Sequence, residues 1–147
     1  MIIAEINQSE TQHRSWLVIL ASGDEAKTSL LEFARRERVT AASFYAVGAF
    51  ERAELAYFEW NTKTYKPIAV DQQTEVVSLI GNIVRDDKDA YMVHAHATLG
   101  LADGTTRGGH LNEGHVRPTL EITILELPAD VRRRMDADVG IPLITQG

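Results

Sequence analysis

Only one stretch of this chain carries the period of a helix, and most of the sequence after it alternates in the manner of strands. In "SGDEAKTSLLEFARRERV" (22–39), Ala26, Leu30, Phe33 and Ala34 recur at helical spacing on one face, with Leu31 beside them. Ser22 followed three residues later by Glu25 forms a capping-box pattern, and Asp24 and Glu25 suit the positive end of a helix dipole. The basic run in "FARRERV" places cations at the other end, where the dipole favours them.

Before this helix, "HRSWLVILA" is apolar from Trp16 to Ala21, which predicts a strand buried on both faces. After it come "TAASFYAVGAF", with a bend expected at Gly48, then "RAELAYFEW" and "TKTYKPIAV", where Pro67 marks an edge or a strand end. "TEVVSLIGNIV" reads as a strand interrupted at Gly81-Asn82, "DDKD" as a polar turn, and "AYMVHAHATLGL" and "PTLEITILEL" as further strands. The tail "PADVRRRMDADVGIPLITQG" is expected to hold a short helix. One helix followed by a meander of strands predicts a single α+β domain over 1–147 with a mainly antiparallel sheet. No repeat, linker or domain boundary interrupts it.

Composition narrows the chemistry. The chain has no cysteine, which excludes thiol catalysis, thiolate zinc ligation and disulfides, and fits a reducing compartment. The N-terminal residues show no basic and apolar signal pattern, and no apolar run is long enough to span a membrane, so a cytoplasmic location is expected. A net charge of −6 sets the domain at a disadvantage against DNA, whose binding requires clustered cations. Arg132, Arg133 and Arg134 are bracketed by Asp130, Asp136 and Asp138, and the expectation for them is a solvated face. A symmetric oligomer offers the one route by which those arginines would gather into a patch.

The chemistry concentrates in "MVHAHATLGLADGTTRGGHLNEGHV" (92–116), which holds four of the five histidines and five of the ten glycines. His94 and His96, two apart on a strand, project from one face about 6.6 Å apart. Val93, Ala95, Ala97 and Leu99 form the other, core-like face. Asp103-Gly104 reads as a two-residue hairpin turn. An unbroken ladder from that turn would set Leu111 opposite His96 and point His110 to the wrong side. One extra residue in the second strand would bring His110 opposite His96, and a bulge at Gly108-Gly109 is the expected device. Three neutral imidazoles would then meet with a coordination position left open, as in catalytic zinc sites, although nickel or copper would accept the same ligands. Surface or hydrogen-bonded histidines are the alternative.

Other residues compete for roles nearby. Glu121 leaves the apolar side of its strand and is a candidate fourth ligand or general base, or else a solvated carboxylate. Glu113 and His115 belong either to the rim of the site or to an exposed loop. Asn82 is either an orienting amide or a turn former. No Gly-Lys-Ser/Thr phosphate loop and no G-x-S-x-G elbow is present.

At these motifs the chain resembles a known family. "HAHATLGLADGTTRGGHLNEGHVRPTLEITILEL", with "LIGNI" and "FYAVGAFERAELAYF" upstream, is similar to the plants-and-prokaryotes-conserved (PPC) domain over 15–127, a domain of unknown function. The resemblance implies a curved, mainly antiparallel sheet against a helix, a homotrimer, and distant structural kinship with α-acetolactate decarboxylase. That enzyme holds zinc through an H-x-H pair and a later histidine, a pattern that maps onto His94, His96 and His110. Its arginine has no assignable counterpart in this sequence. Plant members carry an Arg-Gly-Arg-Pro AT-hook ahead of the domain, and this chain has none.

Three functions emerge as expectations. The first is a trimeric regulatory or ligand-binding module with a zinc site. The second is a zinc-dependent lyase or hydrolase acting on a small acidic metabolite, with Glu121 moving protons. The third is a DNA-associated regulator of the plant type.

Overall fold

In the computed structural model the described residues are 1–5, 13–128 and 131–146. Their elements are β1 (Ile2–Glu5), β2 (Ser15–Ala21), α1 (Ala26–Glu37), β3 (Ala41–Glu59), β4 (Thr64–Val70), β5 (Thr74–Asp86), β6 (Tyr91–Gly100), β7 (Thr106–Glu126), β8 (Val131–Met135) and β9 (Pro142–Gln146). The strands join in one sheet in the order β1-β2-β7-β3-β5-β8-β9, with β4 on β3 and β6 between β5 and β7. Every pairing is antiparallel except β5 with β8, as the sequence predicts. Because β3 pairs with β5, β5 with β6, β6 with β7 and β7 with β3, these four strands close a circuit. Only strands that bend strongly can do that.

The helix covers one side. Ala26, Leu30, Phe33 and Ala34 are fully buried on the predicted face. They belong to one core with Trp16, Val18, Leu20, Phe44, Ile122 and Ile124. The Trp16 and Phe33 rings meet edge to face at 5.2 Å. Since the helix packs on one side only, β2 alternates: Trp16, Val18 and Leu20 are buried, while Leu17 and Ile19 are half-buried, correcting the expectation of a strand buried on both faces. The helix cap also differs. Glu25, not Ser22, caps it, its carboxylate accepting from the backbone N–H of Lys27 at 3.1 Å and Thr28 at 2.8 Å. Ser22 stands one turn too early and donates to the Pro118 carbonyl.

Glycines bend strands that the sequence pattern would end. Two predicted strands are one 19-residue β3, which turns at Gly48, where φ is +150° and the pairing with β5 shifts register. Likewise β5 runs unbroken through Gly81-Asn82, and its irregularity falls at Val77. Gly81 is there for clearance, since a Cβ would lie 2.4 Å from the His94 carbonyl oxygen and 2.5 Å from the Phe44 ring. The tail forms the β8–β9 hairpin instead of a short helix. The open edge of β5 beyond Val84 offers β8 backbone partners at Arg85 and Asp86. Asp136 accepts from the N–H groups of Asp138 and Val139 and so makes the turn. Asp130 lies outside the described residues.

Candidate metal centre

The site forms where two paired strands part. From Gly100 to His96, β6 pairs with β7 from Thr106 to His110. Beyond that last pair, β6 from Ala95 to Tyr91 stays with β5 alone, while β7 from Leu111 onward runs along β3. A fork results, and the three histidines stand at it.

His110 faces His96 as expected, but for a different reason. The β6–β7 ladder has no bulge: Ala97 pairs with Gly109 and Thr98 with Gly108 in unbroken register. The extra residue sits in the turn instead. Leu101 N–H donates to the Thr105 carbonyl at 2.8 Å and Gly104 N–H to the Leu101 carbonyl at 2.9 Å, so residues 102–104 form a three-residue connection. Gly104 takes the left-handed conformation at φ +81°, as such turns require. Gly109 serves clearance, because a Cβ there would approach the Ala56 carbonyl oxygen to 2.7 Å.

The ring centroids of His94, His96 and His110 are 5.0–5.6 Å apart. One nitrogen from each lies within 4.8 Å of the others. Around a tetrahedral zinc, Zn–N bonds near 2.05 Å set such nitrogens about 3.4 Å apart, a gap that small side-chain rotations close. His110 Nδ1 is buried without a hydrogen-bond partner among the described residues, a nitrogen left to meet an electrophile or to carry a proton. Tyr65 on β4 supports the His110 ring at 4.8 Å. The chemistry of the set fits a borderline metal ion.

Electrostatics keep two of these rings neutral. Burial, then the Arg133 charge, holds His94 down at about 4. Burial, then His94 and Lys27, does the same for His110, also to about 4. Their lone pairs are therefore free at neutral pH, as metal ligation requires. Both values lie below the ordinary histidine value of 6.5. The unfolded chain therefore takes up protons first as pH falls. The stabilisation is complete above about pH 6.5 and is lost as pH drops toward 4. Urea midpoints of the metal-free protein are thus expected to fall steadily between pH 7 and pH 4.5. A double His94→Asn, His110→Asn variant should lose most of that slope, and an unchanged slope would refute the assignment.

Arg133 is the residue the sequence reading missed. It is only 7% exposed, its Nη2 donating to Asn82 Oδ1 at 3.2 Å and lying 2.9 Å from His94 Nδ1. A guanidinium can only donate, so His94 Nδ1 accepts. Asn82, opposite His94 in the β5–β6 register, is an orienting amide rather than a turn former. The three arginines do not form one solvated face: Arg132 pairs with Asp89 at 2.8 Å, Arg133 is buried, and Arg134 is exposed. No local pattern marks Arg133, since Val131 on the same face is half-buried and Met135 is exposed.

The remaining candidates lie elsewhere. His96 is exposed and forms a row across the sheet with Ile80 and Tyr45. Glu121 pairs with Val47 on the same outer face, but the row of His96 meets β7 at Thr123, not at Glu121. It is not in the histidine group. His115 Nε2 lies 3.6 Å from the Glu113 carboxylate, and the two form a separate pair opposite Arg52 and Glu54.

Comparison with known proteins agrees with this architecture. The PPC protein of Pyrococcus horikoshii is 28% identical, with a TM-score of 0.84 covering 99% of this chain and 95% of that one. A metal-containing protein of Archaeoglobus fulgidus is 26% identical, with a TM-score of 0.84 and 99% of both chains covered. A provisionally named DNA-binding protein of Ralstonia eutropha JMP134 is 25% identical, with a TM-score of 0.83 covering 90% of this chain and 91% of that one. A search of curated proteins gives no match. Residues 7–128 match the Plants and Prokaryotes Conserved (PCC) domain, and with that match spanning most of its length the chain belongs to this family.

Proposed function

We propose that this chain is the subunit of a homotrimeric ligand-binding module in which His94, His96 and His110 hold zinc or a related divalent metal. The observation that carries this reading is the convergence of three imidazoles, two of them held neutral, at the fork of β6 and β7. The metal-containing relative supports it. Bound zinc supplies a Lewis acid with a coordination position open to an oxygen ligand.

Assembly is supported by the sheet's outer face. Tyr45, Val47, Val77 and Ile80 are each more than half exposed there, and Tyr45 and Ile80 are direct cross-strand neighbours. A continuous apolar face of this kind marks a protein interface. His96 stands in the same row, so assembly on this face would enclose the histidines and set the subunits around the cleft.

Two measurements test the proposal. Metal analysis of the purified protein should find about one zinc-like ion per subunit, lost on His96→Ala. Sedimentation should give a trimer that Ile80→Asp dissociates without abolishing the fold. A metal-free wild-type protein after zinc exposure, or a monomer, would each remove the corresponding half.

The second reading is a metal-dependent lyase or hydrolase, favoured by the cavity that Lys27 and Arg133 line beside the histidines. Turnover that disappears in His96→Ala while the trimer survives would select it. The net charge of −6 argues against a DNA-associated role, and no retardation of duplex DNA is expected even at about 50 mM salt. Salt-sensitive binding there would reverse that conclusion.

A further inference from the structure

On one side of the fork lies a cavity of about 260 Å³ in which two cations, Lys27 and Arg133, face His94 and His110. The rest of its wall is Tyr65 and the apolar side chains of Met92, Val93, Ile141, Pro142 and Leu143, the last two from β9. Arg133 is 93% buried, its Nε has no hydrogen-bond partner among the described residues, and its Nη1 donates to the Pro142 carbonyl at 2.9 Å. Among the described residues, neither Arg133 nor Lys27 has an ion-pair partner. Glu25, the capping acid two residues before Lys27, has its carboxylate engaged by the backbone N–H groups of Lys27, Thr28 and Gly114. Buried cations are rare and costly unless a counter-charge accompanies them. The acceptors within hydrogen-bond distance of the guanidinium, Asn82 Oδ1, His94 Nδ1 and the Pro142 carbonyl, are all neutral.

We propose that this cavity binds the carboxylate of a small aliphatic acid, with Arg133 and Lys27 as its cationic partners and the apolar wall taking its hydrocarbon body. Arg133 supplies the planar donor pair that a carboxylate matches, and Lys27 a second positive charge from the helix side.

The inference rests on the metal reading at one point, the coupling between the two ligands. A neutral imidazole has one lone pair. Whichever His94 nitrogen gives it to a metal ion, Nδ1 can no longer accept from Arg133, and the Arg133–His94 bond opens. Metal loading therefore frees a guanidinium N–H for the acid, and the acid offsets the repulsion between Arg133 and the metal. By linkage, each ligand raises the other's affinity by the same factor.

Calorimetric titration of the purified full chain, with and without zinc, tests this using 3-methyl-2-oxobutanoate and its neutral counterpart 3-methyl-2-butanone. The acid is expected to bind the zinc-loaded protein at least about tenfold more tightly than the ketone, the size of one charge-assisted contact. Lys27→Gln and Arg133→Gln should each weaken the acid by about tenfold or more, and Arg133→Lys should recover part of the loss. Lys27→Gln keeps the three imidazoles intact, so its zinc affinity, read by chelator competition, should stay within about threefold of wild type. Equal affinity for acid and ketone, or no weakening in Lys27→Gln, overturns the proposal whether or not Arg133→Gln folds. If zinc fails to bind, the metal reading falls alone: acid binding to the metal-free chain that Lys27→Gln weakens upholds the carboxylate subsite, and its absence removes that too.

Discussion

Replacing His94 by alanine is expected to lower zinc affinity by about 10²–10³-fold. A four-ligand zinc site contributes about 10–16 kcal/mol, so one ligand carries roughly 3–4 kcal/mol of it. The same variant should lose the thermal shift that zinc confers on the wild type, about 2.7 kcal/mol of added stability at a hundredfold excess over Kd. The fold itself should tolerate the change, because the His94 side chain sits at the fork and lies outside the hydrophobic core. Chelator competition and melting curves in parallel decide it: wild-type zinc affinity in the variant would show that the cluster is not the binding site. A loss of fold without zinc would instead make the imidazole structural.

The second large effect is predicted at Gly48. An alanine there would take a backbone conformation at φ +150° that side chains rarely adopt, and its Cβ would lie 2.3 Å from the Thr119 carbonyl oxygen and 2.8 Å from Leu120 Cα. Both obstacles are backbone atoms of β7, which cannot swing aside as a side chain would. Adding about 1–3 kcal/mol of backbone strain to about 1–3 kcal/mol of overpacking gives a loss of roughly 2–6 kcal/mol. For a domain of this size that corresponds to a melting temperature lower by roughly 6–18 °C. Gly104→Ala is the control, since that residue has φ +81° but nothing within 4 Å of an added Cβ. It should cost only about 1 kcal/mol. If the two variants lose equal stability, the close approach of β3 and β7 is not what Gly48 provides.

Much of the fold is legible from local patterns. The helix face of Ala26, Leu30, Phe33 and Ala34, the edge position of Pro67 and the antiparallel strands all derive from periods and turn residues. Strand ends were less legible, because Gly48 and Gly81 can terminate a strand or bend it. The choice depends on whether another strand presses against the glycine, as β7 does at Gly48 and β6 at Gly81. The capping residue was misplaced for a similar reason. Glu25 accepts not only from its own helix but also from Gly114 at 3.0 Å, a residue 89 positions away.

The histidine site shows the same division. Local chemistry alone determined that His94 and His96 share a face and that a later histidine could join them, because strand alternation is a property of the backbone. It also ruled out thiolate chemistry and weakened any case for DNA. Which register brings His110 to His96 was settled by a three-residue turn whose length differs by a single residue from the one expected. Arg133 and Lys27 reach the same cavity from the tail hairpin and the first helical turn, more than 100 residues apart in the chain. Such long-range meetings depend on how β5, β6, β7 and β8 share their edges, a choice made by the whole sheet and invisible in any short window of residues.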